Sequence, residues 1–505
     1  MPGQTIARAP RRLADLVPAG VSIEPPRGMD REQAGATAIT CMTLDSRAVA
    51  PGALFTALPG TQVDGARFIP QALDAGAAAI LCADDANVAD CPVPLLRANL
   101  PRQATAQMAA RFFDAQPQHI AAVTGTSGKS SVADFTRQLM AAAGHRAASV
   151  GTIGLVKPDG ETYGALTTPD PITLQQTLAD LHGEGVTHLA FEASSHGLDQ
   201  YRLDGVRLSA AAFTNLGRDH LDYHPTVDAY FAAKRRLFDD LLPDDGTAVV
   251  NTDSAWGADI AAAVTRRGIR VMRVGCNPDA DVRITKARAD GFGQVLTLAF
   301  AGVRHDVRLN LIGGYQAENA GLAAGLAIAV GCAPKETFAA FAQLRGVSGR
   351  LEPVGTVNGA SVIVDYAHKP EALEAALAAL RPFATARLMC VFGCGGDRDA
   401  GKRTIMGEIA ARGADVVVIT DDNPRTEAPD AIRAAIRAGA GPDAIEIGDR
   451  AAAIAHAIGL AGAGDVVLIA GKGHETGQIV GDQVLPFSDQ DVARAAMALR
   501  DGQTI

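Results

Sequence analysis

Thr124-Gly-Thr-Ser-Gly-Lys-Ser-Ser131 carries two glycines, a lysine and two terminal hydroxyls directly after the apolar run 120–123. Residues of these types in this order can hold phosphate. The glycines let backbone N–H groups approach the anion, and a helix starting at Lys129 turns its partial positive end toward it. Lys129 can reach the terminal phosphates, and the Ser130 hydroxyl is placed to ligate Mg2+. The run is shorter than a Walker A loop, whose first glycine falls at Val123 here. The competing reading, a glycine turn beside a chance lysine, is opposed by the strand and helix patterns on either side. Phosphoryl transfer from ATP needs Mg2+, and Mg2+ needs hard oxygen ligands. Glu192, after the strand expected at 187–191, is the first candidate, against a capping or solvated glutamate. His220 and Asp222 come next, against a structural histidine. Lys234 lies in a helical pattern, where a lysine ordinarily faces water. A desolvated lysine can instead add CO2 and become a carbamate, which is an oxygen ligand. Spacing leaves both open.

The elements that must hold these groups are short apolar strands alternating with helices. A strand at 120–123 and a helix from Lys129 to about Ala143 frame the phosphate loop. Strands at 187–191 and 210–213 end at Glu192-Ala-Ser-Ser-His-Gly197 and at Thr214-Asn215, and Gly217 to His224 follows. In open α/β sheets ligands sit at the carboxyl ends of strands, where all these polar residues fall. Helices over 228–239 and 319–330, a strand at 248–251 and hairpins over 283–309 complete this section. Before it, a strand-like run at 52–58, a loop at 60–65, helical spacing over 68–78 and a strand at 79–82 form a small module, and a helix over 104–113 leads from it into the phosphate strand. After it, strands at 362–364, 388–392, 416–420 and 466–469 end in loops 365–368, 393–399, 421–425 and 471–475, each with Arg, Lys or His. The expectation is an α/β protein of three domains, 1–105, 106–346 and 347–505. These are a small N-terminal α/β domain, a central phosphate-loop mononucleotide-binding parallel sheet and a C-terminal Rossmann-like sheet.

Composition agrees. The 505 residues suffice for about three domains. The chain is 48% hydrophobic but only 5% aromatic, leaning on Ala, Val, Leu and Ile as buried parallel strands do. A formal net charge of −10 and the lack of a long basic run argue against nucleic-acid binding. Arg8, Arg11 and Arg12 precede no apolar core of signal-peptide type, and no stretch reads as a membrane span. Seven scattered cysteines without a Cys-x-x-Cys pair point to free thiols in a reducing compartment. A cytoplasmic monomer is expected, with small-molecule substrates, no nucleic acid and no membrane insertion.

Taken in order, several runs resemble the Mur ligases over nearly the whole chain. They are Thr124-Gly-Thr-Ser-Gly-Lys-Ser130, Glu192-Ala-Ser-Ser-His-Gly-Leu198, Asp219-His-Leu-Asp-Tyr-His224, Ala233-Lys-Arg-Arg-Leu-Phe238, Gly349-Arg350, Asp365-Tyr-Ala-His368 and Gly393-Cys-Gly-Gly-Asp-Arg-Asp399. Asp422-Asn-Pro-Arg425 looks like the signature of the members that add meso-2,6-diaminopimelate. The resemblance implies an ATP-dependent, ADP-forming ligase of peptidoglycan precursor synthesis. It would join that amino acid to the D-glutamate γ-carboxylate of UDP-N-acetylmuramoyl-L-alanyl-D-glutamate.

The resemblance also implies roles. Lys129, Glu192, His220 and Lys234 would be catalytic, with Lys234, as a CO2-derived carbamate, sharing Mg2+ with Ser130, Glu192 and His220. ATP would be held by Gly125, Thr126, Ser127, Gly128, Lys129, Ser130, Ser131, Asn319 and Asp365, with Arg350 near its γ-phosphate. Leu44, Ser46, Thr61, Gln62 and Val63 would grip the uridine nucleotide, and Thr167, Thr168, Ser194, Gln200 and Arg202 the muramoyl dipeptide. Arg398, Asp422, Asn423, Pro424, Arg425, Gly471 and Glu475 would form the diaminopimelate site. That site makes chemical sense, because diaminopimelate differs from lysine by a distal carboxylate, which a guanidinium fork reads bidentately. Asp365 or His368 would help deprotonate the incoming amine. The chain departs from the family at Ser127 for Asn, at Ser130-Ser131 for Thr-Thr, at Gln316 for a frequent Asn and at Leu166 for a polar residue. The rival readings are a lysine-adding relative, a folylpolyglutamate-synthase-like ligase, a nucleotide-dependent switch and a small-molecule kinase. Arg425 opposes the first and the uridine loop the second. Only a ligase makes ADP release depend on both co-substrates, and a kinase leaves a stable phosphorylated product.

Overall fold

Short runs of Ala, Val, Ile and Leu form most strands of this chain, and most pairs lie parallel, many of them joined through a helix. The computed structural model describes residues 9–60, 63–162, 167–217, 219–220, 223–290 and 293–500. They divide into two units, Met1–Val282 with Gly321–Thr337 and Arg283–Ala320 with Phe338–Ile505.

The first unit opens with a five-stranded sheet. Its order is Val21–Glu24, Leu95–Ala98, Ala79–Ala83, Ala53–Thr56 and Cys41–Thr43, all parallel except the first pair. Leu54, Leu81 and Leu96 pack with Phe112 of the Pro101–Phe113 helix. That helix starts three residues before its helical spacing, because Pro101 is favourable in the first turn. The helical run expected over 68–78 is a 3-10 turn, Gly65–Phe68, followed by a helix ending at Asp74.

The phosphate-loop strand, His119–Thr124, lies centrally in the next sheet, between His188–Glu192 and Ala210–Phe213. Ala147–Gly151 lies beyond the former, and Thr247–Asn251 then Arg270–Gly275 beyond the latter. All six are parallel, and Ile120, Val123, Leu189, Phe191 and Phe213 are fully buried. The chain moves to one side of His119–Thr124 and then the other, the switch at which an open sheet leaves a crevice at its carboxyl edge. Thr226 caps the Val227–Arg236 helix that carries Lys234, and a π turn, Leu237–Leu241, replaces the expected helical end.

In the second unit Gly293–Phe300 and Val303–Leu309 form a hairpin, as expected. Ala301 and Gly302 both have positive φ, as a tight two-residue turn requires. The Tyr315–Ala329 helix starts four residues earlier than read, taking in Gln316. A six-stranded sheet follows, in the order Glu352–Val357, Ala360–Asp365, Val466–Ala470, Leu388–Phe392, Val416–Ile419 and Ile445–Glu446, with only the first strand antiparallel. The last strand in sequence slots between two earlier ones, so the four loops flagged above leave adjacent strands at one edge. Among the described residues no helix is long and apolar enough to cross a membrane.

At the opposite edge of the phosphate-loop sheet, His188 stacks on His145 at 3.9 Å and lies 4.6 Å from His119. Burial, together with the charges His145 and His119 would carry, lowers the His188 pKa from 6.5 to about 4. Above pH 6.5 the imidazole is neutral in both states and contributes nothing. Between about 6.5 and 4 the unfolded chain takes up a proton that the fold excludes, so stability falls as pH falls. His188→Gln is expected to flatten the drop in melting temperature between pH 7 and pH 5, read by circular dichroism.

Candidate active site

Gly125 adopts φ 147°, and a Cβ there would lie 1.9 Å from Thr214 Oγ1, so only glycine fits. Gly128, at φ 87°, caps the Lys129–Ala142 helix. The loop is braced from the neighbouring strand end. Asn215 Oδ1 accepts from Ser127 N at 3.0 Å, Thr214 Oγ1 donates to Ser127 O at 2.7 Å, and Thr126 N donates to Asn215 O at 2.9 Å. Lys129 Nζ lies back on Gly125 O (3.0 Å) and Thr126 O (2.9 Å). Lys234, 1% exposed, also donates to Gly125 O, at 2.8 Å, with its ammonium 4.3 Å from the centre of the Tyr230 ring. Two ammonium groups therefore converge on one carbonyl of the phosphate loop. Ser130 and Ser131 are buried in the first helical turn.

Glu192 ends the adjoining strand, buried, with Oε1 accepting from Thr152 N at 2.7 Å and Oε2 from Thr152 Oγ1 at 3.2 Å. Thr152 Oγ1 lies 3.1 Å from Thr167 Oγ1. Thr168 Oγ1 donates to Glu192 O and lies 3.0 Å from Ser194 Oγ. Arg202 donates to Thr168 O at 2.6 Å and to Gln200 Oε1 at 2.8 Å. The structure thus brings Thr167, Thr168, Ser194, Gln200 and Arg202 into one network with Glu192. His220 has φ 52°, with its backbone N–H on Asp219 and its ring 4.9 Å from that of His196 and 6.1 Å from that of Tyr230.

No group of three or more His, Cys, Asp or Glu among the described residues could hold a metal ion. The donors present, a serine hydroxyl, a buried carboxylate and an imidazole, fit Mg2+ shared with phosphate oxygens and water rather than a protein cage. Asp222 and Leu166 lie outside the described residues, as do Thr61 and Gln62 of the expected uridine loop. Val63 of that loop is 42% exposed, and a Cβ on Gly60 would meet Val63 O at 2.3 Å. Leu44 is half-buried, and Ser46 donates to Gln71 Oε1 at 3.0 Å.

Asn319, Arg350 and Asp365 belong to the second unit, as do the expected amino-acid residues. Asn319 is buried and donates to Gln316 Oε1 at 3.0 Å. Arg350 lies 4.5 Å over the Tyr366 ring. Asp365 accepts from Leu351 N (2.6 Å) and Ala367 N (2.8 Å). Burial pushes its pKa up, and Arg350 tempers the rise. His368 Nδ1 donates to Tyr366 O, and burial lowers its pKa to about 4, so it is neutral at pH 7. Arg425 has φ 52° and donates to Gly396 O at 2.8 Å, its backbone paired with Ile479 and Gly481. Pro424 is buried beside it, and a Cβ on Gly396 would strike Pro424 O at 1.9 Å. Arg398 is exposed on the neighbouring loop. A Cβ on Gly471, at φ 120°, would lie 2.6 Å from Asp422 Oδ2. Asn423 donates to Glu475 Oε2 at 2.9 Å. Burial pushes the Glu475 acid up, but the Lys472 charge and hydrogen bonds from Lys472 and Asn423 bring its pKa below the usual value.

Three contributors were not singled out in the sequence: Thr152, which holds Glu192; Tyr230, under Lys234; and Lys472, beside Glu475. Ala147-Ala-Ser-Val150 was the available signal for Thr152, as a short apolar run ending in Gly-Thr. Tyr230 lies one helical turn before Lys234, the spacing at which side chains meet.

Models of the Mur ligase family match three stretches of the chain. The model described as Mur ligase family, catalytic domain, matches residues 38–116, the Mur ligase middle domain 123–327, and the Mur ligase, glutamate ligase domain, 349–473. A UDP-N-acetylmuramoyl-L-alanyl-D-glutamate–2,6-diaminopimelate ligase of Bradyrhizobium diazoefficiens is 57% identical, over 97% of this chain and 99% of that one. A solved structure of a protein with that name is 31% identical with a TM-score of 0.73, covering 97% and 99%. The Mycobacterium tuberculosis folylpolyglutamate synthase complexed with ADP shares the fold at 20% identity and a TM-score of 0.63, covering 78% and 93%.

Gly125→Ala should weaken binding of a fluorescent ATP analogue by about tenfold or more, since the loop conformation itself is lost. Helix content by circular dichroism should stay unchanged.

Proposed function

The chain belongs to the Mur ligase family, and from that premise we propose an ATP-dependent, ADP-forming ligase that adds meso-2,6-diaminopimelate to UDP-N-acetylmuramoyl-L-alanyl-D-glutamate. The observation that carries this reading is the joining of Glu192 to Thr167, Thr168, Ser194 and Arg202 beside the phosphate loop. A carboxylate acceptor held by that network lies at the same sheet edge as the phosphates.

The D-glutamate γ-carboxylate attacks the γ-phosphorus of ATP, breaking the bond to the bridging oxygen and releasing ADP. The resulting acyl phosphate is attacked at its carbonyl carbon by the amine of diaminopimelate. The tetrahedral intermediate loses its proton to solvent or a neighbouring base and expels phosphate, leaving the amide. Lys129 neutralises charge on the transferring group, and Gly125 to Ser131 hold the phosphates through backbone N–H groups. Asn319 and Asp365 take the adenosine, and Arg350 the γ-phosphate side. Leu44, Ser46 and the 61–63 loop take the uridine nucleotide, in an N-terminal domain ending near residue 105. The central domain, to 346, binds ATP, and the remainder binds the amino acid.

Ser130, Glu192, His220 and Lys234 would hold Mg2+, which when bound offsets negative charge on the phosphates. Lys234 would act as a carbamate, formed from its neutral amine and CO2 with loss of one proton. Its burial and its place beside Lys129 on Gly125 O support that role, because a carbamate turns a like-charge contact into an attractive one. The protein is a cytoplasmic monomer in this reading.

Purified protein should release ADP and phosphate only when the nucleotide-linked dipeptide and diaminopimelate are both present. Lysine used equally well would overturn the amino-acid assignment, and a stable phosphorylated product would favour a kinase. Arg425→Met should raise KM for diaminopimelate by about ten- to a hundredfold, as loss of a charge-assisted carboxylate contact does, with KM for ATP unchanged.

A further inference from the structure

Lys472 follows the Val466–Ala470 strand with no part of its side chain exposed. A buried ammonium is costly unless it is paired and hydrogen-bonded. Its Nζ donates to Asn423 Oδ1 and to Glu475 Oε2, both at 2.9 Å. Asn423 Nδ2 donates to the same glutamate oxygen at 2.9 Å, which closes a ring of three side chains. Asn423 Oδ1 also accepts from Ile479 N at 2.9 Å, so its amide can point only one way. Lys472 thereby joins the loops at the ends of two strands, one of them the loop that carries Asp422 and Arg425.

Both bonds to Glu475 fall on Oε2, and among the described residues Oε1 accepts none. The Asp422 carboxylate, 7% exposed, accepts none either, and Gly471 makes room beside its Oδ2. Arg450 is committed to Asp489 by two bonds of 2.7 Å, both side chains fully buried. Lys472 and Arg450 thus stand against three carboxylates, those of Asp422, Glu475 and Asp489, and one negative charge is left over beside Lys472. An alkylammonium is the ligand that balances it. Removal of Lys472 would leave two adjacent carboxylates, and such a pair holds one proton more readily.

We propose that Lys472 is a positioning residue of the amino-acid site, holding Asn423 and Glu475 in one orientation and leaving a single negative charge for an ammonium of the diamino acid. The groups facing Glu475 are Lys472 and His474 on its own loop, Asn423 and Asp422 opposite, and Tyr366, with Arg450 and Asp489 behind. The inference rests on the ligase reading for the identity of the ligand, not for the geometry.

The test compares Lys472→Met and Lys472→Arg with the wild-type full chain, in steady-state kinetics with all three substrates across a pH range that reaches below the ordinary carboxylate pKa and up to neutral pH. Lys472→Met should raise KM for diaminopimelate about tenfold or more, the effect of losing a charged hydrogen-bond partner. KM for ATP and for the nucleotide-linked dipeptide should change by less than about twofold, and the acid limb of kcat/KM for the amino acid should move toward neutral pH. Lys472→Arg should recover part of the loss. Equal losses for all three substrates, or an acid limb that does not move, would overturn the proposal. If Lys472→Met fails to fold by circular dichroism, Lys472→Gln keeps hydrogen bonding without charge and is read the same way. A readout independent of turnover is the Glu475 titration, followed as the carboxyl infrared difference between each lysine form and its Glu475→Gln counterpart. It should move upward without the lysine; an unmoved titration sinks the proposal even where the wild type forms no amide.

Discussion

The carbonyl oxygen of Gly125 accepts from two ammonium groups, those of Lys129 and Lys234, and the first unit is arranged around that meeting. One lysine arrives from the helix that follows the loop, the other from a helix more than a hundred residues later. Both lysines place positive charge at the phosphate loop, which favours a polyanion there. The conformation that turns this carbonyl toward both lysines needs φ 147° at Gly125 and no side chain, because Thr214 fills the space. Thr214 and Asn215 then hold the rest of the loop from the next strand. Removing any of these contacts loosens a cradle that must exist before the phosphates arrive.

Both units use the same device on different chemistry. Parallel strands end along one edge, so residues far apart in sequence become neighbours once the register is set. In the first unit this brings Val123 beside Glu192, and in the second Asp365 and Phe392 both beside Ala470. The first edge gathers hydroxyls, a carboxylate and lysines suited to phosphate. The second gathers arginines and carboxylates suited to a charged amino acid. A ligase needs both kinds of edge, because one activates a carboxylate and the other selects the amine that attacks it.

Much of this was legible in the sequence wherever a strand and its loop carry their signal locally. The 120–123 run, the Gly125 to Ser131 loop and the strands ending at Glu192, Thr214, Asp365, Gly393, Asp421 and Gly471 fall where the residues placed them. The strand Ala147–Gly151 is hard to see in sequence, because only Val150 of its residues is β-branched. With it went Thr152, the residue that orients Glu192. The spacing over 228–239 reads as one helix, but after Arg236 the chain widens into a π turn that puts Leu237 and Phe238 in the core.

The sequence by itself determined the chemistry available: a phosphate-binding loop, hard oxygen ligands and a run that includes Arg425, with enough motifs in order to point to one family. Tertiary structure alone decided which groups are buried and whom they face. Lys234 and Lys472 both follow the helix and strand-end rules of ordinary surface lysines, yet one is 1% exposed beside Tyr230 and the other fully buried between Asn423 and Glu475. Burial is set by the elements that cover a side chain, and those come from distant parts of the chain. Local spacing carries no record of them.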